Sequence, residues 1–157
     1  MAITLDEIDV RLLRELELDA DRPNVELARL VGLSPAATLN RVRRLKESGV
    51  IRRVSARLDS AAAGFTLQVY VMVTLARHDE AAERRFYQEI RALDQVIAAD
   101  TVAGETDALL MIIARDVAEL QLVLSRLSTR GGAQRLITLL RLGEIKPPSP
   151  LPLKATR

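Results

Sequence analysis

Cysteine and tryptophan are absent from this sequence of 157 residues, and histidine occurs once, at His78. Without cysteine the chain can form no disulfide, no thiolate nucleophile and no cysteine-ligated zinc site. A single histidine also excludes the usual histidine metal cluster and catalytic dyad. Because most enzyme classes lose their usual machinery here, we expect a protein without catalytic activity, metal or cofactor, and we predict His78 to be a solvated loop residue.

Long apolar runs and a basic leader are missing as well. No stretch of 18 or more uncharged apolar residues occurs, so the sequence predicts no helix that spans a membrane. The N-terminal residues MAITLDEIDV are acidic where a secretory signal carries Lys or Arg before its apolar stretch. We therefore expect a cytoplasmic protein with no membrane partner.

The sequence does contain enough apolar residues for a core, and its charges are unevenly distributed. Hydrophobic residues make up 48% and charged residues 28%, which at this length is typical of one globular domain or two small ones. Residues 1–33 carry four basic and eight acidic side chains, whereas residues 34–57 carry seven basic and one acidic. A basic block of this kind indicates a polyanionic partner.

Apolar residues recur at three- and four-residue spacing along the first fifty residues, which predicts three helices. Thr4 and Glu7 have the spacing of a capping box at the start of the first helix. Asn24 is predicted to cap a second, shorter helix, and Gly32 supplies the backbone freedom that favours a helix end. The acidic residues of the first helix are interpreted as N-terminal bias and solvated ion pairs.

The third helix is predicted to begin with Ser34 as its N-cap and Pro35 as its first residue, and to end at Gly49. Ser34 is thus interpreted as a cap and not as a nucleophile. With the short helix before it, this segment predicts a helix-turn-helix. The inner face repeats at four- and seven-residue spacing: Thr38, Val42 and Leu45. The outer face is small at its start and basic farther along: Ala36, Ala37, Asn40, Arg43 and Arg44.

An outer face of this composition can be an ordinary solvated surface or a recognition helix that enters the DNA major groove. Asn pairs bidentately with adenine and Arg with guanine, and small residues allow close approach. Because the basic residues lie on the second helix of a helix-turn-helix, we favour DNA binding, with Asn40 and Arg43 at base edges. The predicted phosphate contacts are Arg41, Arg44, Arg52 and Arg53. The full predicted DNA-binding set is Ser34, Pro35, Ala36, Ala37, Asn40, Arg41, Arg43, Arg44, Arg52 and Arg53.

Residues 50–58 alternate apolar and basic side chains, which suits either a short strand pair or a basic connector. A stretch of small residues follows over 60–64 and marks the best boundary between two halves. We therefore predict a DNA-binding domain over residues 1–58 and a linker over residues 59–65.

The second half reads in the order strand, helix, strand, strand, helix, strand. The predicted strands cover residues 67–75, 96–102, from 108 onward, and 136–142, and the predicted helices cover residues 80–93 and 117–127. This order predicts a ferredoxin-like βαββαβ sheet over residues 66–146 with both helices on one face, and so an α+β protein. The other face needs a partner, which predicts at least a homodimer that covers Val69, Val71 and Val73 or their alternates. Residues 147–157 are proline-rich and are predicted to form an extended tail.

Four segments of the sequence occur in a familiar order and spacing: LDEIDVRLLREL, VELARLVGLSPAATLNRVRRLKESGVIRRVSARLD, AGETDALLMI and ITLLRLGEIK. Together they resemble the leucine-responsive regulatory protein/AsnC family of transcription regulators over almost the whole chain. The resemblance implies a winged helix-turn-helix, a linker strand, and a βαββαβ domain that dimerises, binds small effectors and builds higher oligomers, which we expect to be octamers. One departure is Glu105-Thr106 between Gly104 and Asp107, where many members carry an aromatic residue just before the aspartate.

The turn Gly104-Glu105-Thr106-Asp107 joins the two middle strands, and Gly and Asp are also the commonest residues of plain hairpin turns. In the functional interpretation, exposed amides of the turn bind the carboxylate of an amino acid and Asp107 contacts its ammonium group. In family terms this turn and a threonine of the last strand lie at an effector site between subunits. The predicted effector-binding residues are Gly104, Glu105, Thr106, Asp107 and Thr138.

These observations predict a sequence-specific transcription regulator that binds double-stranded DNA and whose DNA affinity or assembly responds to a small molecule, an amino acid. One alternative is an enzyme resembling the siroheme decarboxylases, which share this two-domain organisation. The other is an assembly module whose N-terminal domain contacts protein. The basic third helix disfavours the first alternative, and DNA binding with a steep salt dependence would exclude the second.

Overall fold

The computed structural model describes residues 4–77 and 79–156, so the predicted loop residue His78 lies outside the described residues. Contacts divide the chain into two compact units. The first unit comprises the chain up to Arg57 together with the tail that follows Ile145, and the second unit is the chain between them. No helix of the described ranges has the length and apolar character needed to cross a membrane.

The first unit is built on three helices, as the spacing of apolar residues predicted. They are α1 (Glu7–Leu18), α2 (Asn24–Val31) and α3 (Pro35–Glu47). Leu12, Leu27 and Val31 are buried at the centre, and half-buried Ile8 and Val42 pack against them. Burial of this apolar face, more than helix propensity, stabilises such short helices.

The capping box of α1 is formed by a different pair of residues from the predicted one. The prediction was Thr4 with Glu7, but the N-cap is Asp6, and its partner is Asp9. The Asp9 amide donates to the Asp6 carboxylate at 2.8 Å, and the Asp6 amide donates back to the Asp9 carboxylate at 3.3 Å. Both pairs have the same three-residue spacing, so local sequence alone does not choose between them.

Asn24 does not cap α2, contrary to the prediction. The N-cap is Pro23, which provides no side-chain hydrogen bond. The Asn24 side-chain amide donates instead to the Pro35 carbonyl at 2.8 Å and so ties the start of α2 to the start of α3. At the other end, Gly32 has a left-handed backbone with a φ of 73°, which confirms the predicted helix end.

The start and the inner face of α3 are confirmed. The Ser34 hydroxyl accepts a hydrogen bond from the Ala37 amide at 3.2 Å, and Pro35 is the first helical residue. Thr38 and Leu45 are fully buried. The Thr38 hydroxyl donates to the Ser34 carbonyl at 3.0 Å, which satisfies this buried polar group.

Residues 50–58 contain no strand. Of the two predicted alternatives the chain has the basic connector, and the wing and linker strand implied by the family resemblance are not formed between residues 48 and 66. An isolated two-stranded ribbon is at best marginally stable, and like charges opposite one another weaken it further.

The second unit contains the predicted ferredoxin-like order. Its elements are β1 (Leu67–Leu75), α4 (Glu80–Arg91), β2 (Val96–Thr101), β3 (Ala108–Ala114), α5 (Val117–Thr129) and β4 (Ala133–Leu140). The strands are antiparallel in the order β2-β3-β1-β4. Asp79 and Asp116 cap the two helices with their carboxylates. β4 begins at Ala133, three residues before the predicted start.

The two faces of the sheet have different surroundings. Val69, Val71 and Val73 are buried against α4 and α5, together with Phe86 and Leu127 of those helices. Successive residues of a strand point to opposite faces. The alternates therefore form a second face, which no helix of this unit covers, and we call it the open face: Tyr70, Met72, Leu109, Met111, Ile137 and Leu139. The apolar residues left for a partner are the alternates, not the three valines.

Between residues 146 and 156 the tail has neither helix nor strand, and it lies along α1. Among the described residues, hydrogen bonds connect the tail to α1 and to Leu5 just before it: Leu151 with Glu17, Leu153 with Arg14, and Thr156 with Leu5. The last pair is reciprocal, because the Thr156 amide donates to the Leu5 carbonyl at 2.8 Å and the Leu5 amide donates to the Thr156 hydroxyl at 3.0 Å. The predicted extended tail thus contributes to the helical unit.

Candidate functional site

The outer face of α3 is accessible over its whole length. Of the predicted DNA-binding residues on it, Ala37 is half-buried, and the exposed ones are Ser34, Pro35, Ala36, Asn40, Arg43 and Arg44. Asn40 and Arg43 form no side-chain hydrogen bond or ion pair with any described residue. One side-chain amide and one guanidinium therefore lie three residues apart on the same side of the helix, beside a surface of small residues. Neither group has a hydrogen-bond partner within the described chain.

Arg52 and Arg53 lie in the connector that follows α3 and are exposed. Neither forms an ion pair with a carboxylate of the described chain. Unpaired cations next to a recognition helix attract phosphates without regard to sequence. These two residues thus have the surroundings expected of phosphate contacts.

Arg41 and Arg44 differ from the other predicted cations because both are held by carboxylates of α1. Arg41 donates to Asp6 at 2.6 Å and to Asp9 at 2.9 Å, and Arg44 donates to the second oxygen of Asp9. The prediction placed them against DNA phosphates and treated the acidic residues of α1 as solvated. Asp9 is only 1% exposed, so that interpretation of Asp9 is wrong: a buried carboxylate needs such partners.

The ion pairs also change the acidity of their members. The pKa of the Asp6 carboxyl lies below its usual value. The larger cause is the hydrogen bond that Asp6 accepts from the Asp9 amide, and the next is the one that it accepts from the Arg41 side chain. The hydrogen bonds of Arg41 to the Asp6 carboxylate and, with a smaller effect, to the Asp9 carboxylate raise the pKa of the Arg41 guanidinium. Both shifts favour the charged forms of Asp6 and Arg41, so this ion pair is compensated within the unit.

The turn at residues 104–107 is a hairpin turn whose aspartate supports the fold. Gly104 has a φ of 135°, a conformation that favours glycine. The Asp107 carboxylate accepts a hydrogen bond from the Leu75 amide at 2.7 Å, and the Asp107 amide donates to the Val73 carbonyl at 2.9 Å. Asp107 thus connects the turn to the end of β1. This segment is a hairpin turn that supports the sheet, whether or not it also binds a ligand.

Thr138 is exposed on the edge strand β4, where it lies opposite Val71 of β1. The turn lies beyond the other side of β1, because Ala108 of β3 is opposite Val73. Asp107 is therefore two strand spacings and about three residues away from Thr138. With strands about 4.8 Å apart and residues about 3.3 Å apart along them, the two residues are separated by roughly 14 Å within one chain. A single chain does not bring the predicted effector-binding residues into one site.

A cleft that no sequence pattern predicted lies beside this turn. It has a volume of about 260 Å³ and lies between α4 and β2, next to Ala108. Tyr87, Arg91 and Asp100 are among the residues that line it. Among the described residues no group of three or more His, Asp or Glu side chains could hold a metal ion.

A helix-turn-helix with an unoccupied polar face, followed by a ferredoxin-like unit with an open apolar face, defines a two-domain class of transcription regulators. Comparison with known families supports this assignment. Residues 5–46 match the AsnC-type helix-turn-helix domain, and residues 68–151 match the Lrp/AsnC ligand binding domain. The chain belongs to the Lrp/AsnC family of transcriptional regulators.

Individual relatives agree with the family assignment. The chain is 37% identical over 145 residues to the leucine-responsive regulatory protein of Rhizobium meliloti, covering 92% of this chain and 93% of that one. A transcriptional regulator of Neisseria meningitidis in complex with L-methionine has a TM-score of 0.88 at 31% identity, covering 95% and 97%. A feast or famine regulatory protein of Mycobacterium tuberculosis, also complexed with L-methionine, has a TM-score of 0.82 at 30% identity, covering 90% and 95%.

Proposed function

We propose that this regulator binds operator DNA through α3 and that an amino acid controls its affinity or its assembly. The observation that carries the proposal is the outer face of α3, on which Asn40 and Arg43 are exposed and unoccupied. Asn40 reads adenine and Arg43 reads guanine in the major groove. The exposed start of the helix, from Ser34 to Ala37, approaches the DNA backbone closely, and Arg52 and Arg53 contact phosphates.

Assembly through the open face completes the DNA-binding unit. An apolar sheet face that no helix of its unit covers is a typical association surface, and a two-fold dimer is the commonest solution for it. Two recognition helices related by that axis read half-sites about 34 Å apart or at multiples of this distance. We propose a homodimer that assembles further into an octamer and binds a pseudo-palindromic operator.

The effector site of this proposal lies between subunits. Two solved relatives are L-methionine complexes, and a zwitterion needs donors for its carboxylate and an acceptor for its ammonium group. The turn Gly104-Glu105-Thr106-Asp107 offers amides and a carboxylate, and Thr138 of another subunit offers a hydroxyl. Because one chain keeps Thr138 apart from the turn, a ligand that touches both favours the assembled state.

In this proposal the chain acts by binding and not by catalysis, in the cytoplasm. Residues 1–58 bind DNA, residues 59–65 link the domains, and residues 66–146 bind the effector and assemble, while the tail over residues 147–157 supports the helical domain. The siroheme-decarboxylase-like and protein-binding alternatives predict no operator. The unoccupied base-reading side chains on α3 favour DNA binding over both.

Two binding measurements on the full chain test the proposal. Fluorescence anisotropy with labelled duplex DNA should give an affinity that falls steeply as salt rises, with a logarithmic slope of several units. A thermal-shift screen of the amino acids should find at least one that raises the unfolding temperature, since a ligand specific for the native state stabilises it by mass action. A flat salt dependence would contradict the DNA-binding role, and a screen without any shift would contradict the effector role.

A further inference from the structure

The side chain of Asp9 is buried, although the acidic residues of α1 were expected to face solvent. It is 1% exposed, and both of its side-chain oxygens are in use. One oxygen accepts from Arg41 at 2.9 Å, while the other accepts from Arg44 and, at 3.3 Å, from the Asp6 amide. Asp9 belongs to α1, but the two arginines belong to α3, so this one side chain connects the scaffold to the recognition helix.

The two arginines are less available than their neighbour on α3. The side chain of Arg41 is 28% exposed and that of Arg44 is 49% exposed, and each has an anionic partner. Arg43, which lies between them in sequence, is exposed and has no anionic partner among the described residues. A buried carboxylate that lost its cations would be left uncompensated, which is strongly unfavourable. Asp9 therefore competes with DNA phosphates for these two guanidinium groups.

We propose that Asp9 is the positioning residue of the recognition helix. It holds Arg44 and, jointly with Asp6, Arg41 on α1 and thereby keeps both out of the phosphate-contact set. The inference rests on the proposed function of α3. It assigns the two arginines to orientation of the helix and leaves Arg43, Arg52 and Arg53 as the cations that meet DNA. Asp9 thus raises sequence specificity, because it fixes the angle of the base-reading side chains and removes two sequence-independent contacts.

The decisive variant is Asp9→Asn in the full chain, which preserves the shape of the side chain and removes its charge. Binding to a preferred duplex and to an unrelated duplex is measured over a range of salt concentrations. Asp6 still pairs with Arg41 in this variant, so Arg44 is the guanidinium that loses its anionic partner. We expect affinity for unrelated DNA to rise about tenfold and its logarithmic salt slope to steepen by about one unit, since each new phosphate contact adds about 0.9. The ratio of preferred to unrelated affinity should fall at least tenfold.

Glu7→Gln is the matched control. Glu7 lies in the same first turn of α1, is exposed, and forms no ion pair with α3 among the described residues. The substitution makes the same change in net charge without releasing an arginine, so the salt slope and the specificity ratio should stay within twofold of the unmodified chain. Equal effects of Glu7→Gln and Asp9→Asn would mean that net charge alone is responsible, and would overturn the positioning role.

A second variant decides the question if Asp9→Asn does not fold, as circular dichroism would show. Arg44→Gln leaves Asp9 paired with Arg41, and its salt slope on unrelated DNA should remain within about 0.3 of the unmodified slope. Arg52→Gln, a phosphate contact, should lower the magnitude of that slope by about 0.9. If Arg44→Gln reduces it as much as Arg52→Gln does, Arg44 meets phosphate and the proposal is wrong.

A readout without DNA separates this proposal from the proposed function. In chemical unfolding of the full chain, a double-mutant cycle of Asp9→Asn and Arg44→Gln should give non-additive effects, because the two side chains share one interaction. Additive effects would overturn the proposal even if the chain binds DNA. Coupled effects in a chain whose DNA affinity is insensitive to salt would instead leave the ion pair intact and contradict the function of α3.

Discussion

The two units of this regulator differ in how much of their function one chain completes. In the helical unit, the outer face of α3 is exposed and polar, and its inner face and caps are satisfied by the same chain. In the sheet unit, no helix of that unit covers the open face, and Thr138 lies apart from the turn that holds Asp107. A surface that reads DNA can be assembled from one helix, whereas a site between subunits needs the second subunit.

The largest expected effect comes from breaking the sheet unit's association. Met111 lies on the inner strand β3, on the open face, opposite Tyr70. Met111→Glu places a charge in the centre of that face, so we expect the assembly to dissociate to monomers in sedimentation at micromolar concentration. Operator affinity should fall by about 100-fold or more, because linked binding of two half-sites is lost.

Leu122→Glu is the matched control for this prediction. Leu122 is 69% exposed on α5, away from the open face, so the same gain of charge should leave the assembly intact. A Met111→Glu chain that remains assembled would show that the open face is not the interface.

The next largest effect tests whether the helical unit reads DNA sequence through α3. Arg43→Ala removes a predicted bidentate contact with guanine and should weaken binding to the preferred duplex by about 1–3 kcal/mol, with little change on unrelated DNA. Arg52→Ala should weaken both duplexes alike, since it removes a phosphate contact. Equal losses on both duplexes for Arg43→Ala would contradict its base-reading role.

The turn at residues 104–107, our proposed effector site, is expected to give an effect of similar or smaller size, visible only with ligand present. At a ligand concentration 100 times the dissociation constant, a native-state ligand stabilises by about 2.7 kcal/mol. Asp107→Asn should abolish this stabilisation while keeping an acceptor for the Leu75 amide, whereas Asp107→Ala should also lower the stability of the unliganded chain by about 1–3 kcal/mol.

The comparison of the two Asp107 variants separates binding from folding. The measurement is thermal unfolding with and without the amino acid found in the screen. A normal ligand response in Asp107→Asn would show that the turn is only a hairpin, and would direct attention to the cleft lined by Arg91 and Asp100.

The smallest expected effect concerns the tail, which makes the helical unit depend on the end of the chain. Thr156→Val removes the hydroxyl that accepts from the Leu5 amide and keeps the backbone hydrogen bond. The free energy of unfolding should fall by about 0.5–1 kcal/mol in chemical denaturation. Thr101→Val, at an exposed position of β2, should change it by less than about 0.5 kcal/mol; an equal change in both variants would deny the tail a stabilising role.

Local chemistry was sufficient to predict most of the fold. The strand Leu67–Leu75 is a nearly continuous apolar run and has its predicted bounds, and Ser34 with Pro35 starts α3 as expected. These features depend on neighbours in sequence. The residues 50–58 were ambiguous because a short alternating segment becomes a strand only when it finds a partner.

The candidate site was less predictable because its decisive contacts join distant residues. Asp9 looked like one of several acids at a helix start, and nothing local shows that Arg41, 32 positions later, is its partner. Asn24 looked like a cap, but it donates to Pro35 instead. In the sheet unit, the alternation of β1 identified two faces but could not say which of them the helices cover.

Selection of duplexes from a random pool by the full chain, followed by a salt titration of the selected sequence, tests the central claim most directly. The account predicts an enriched pseudo-palindrome with half-sites about 34 Å apart or at a multiple of that distance, and an affinity for it that falls steeply with salt. The Arg43→Ala chain should bind the selected duplex less well and unrelated DNA equally well. No enrichment over the starting pool, or an affinity insensitive to salt, would contradict the claim that α3 reads DNA.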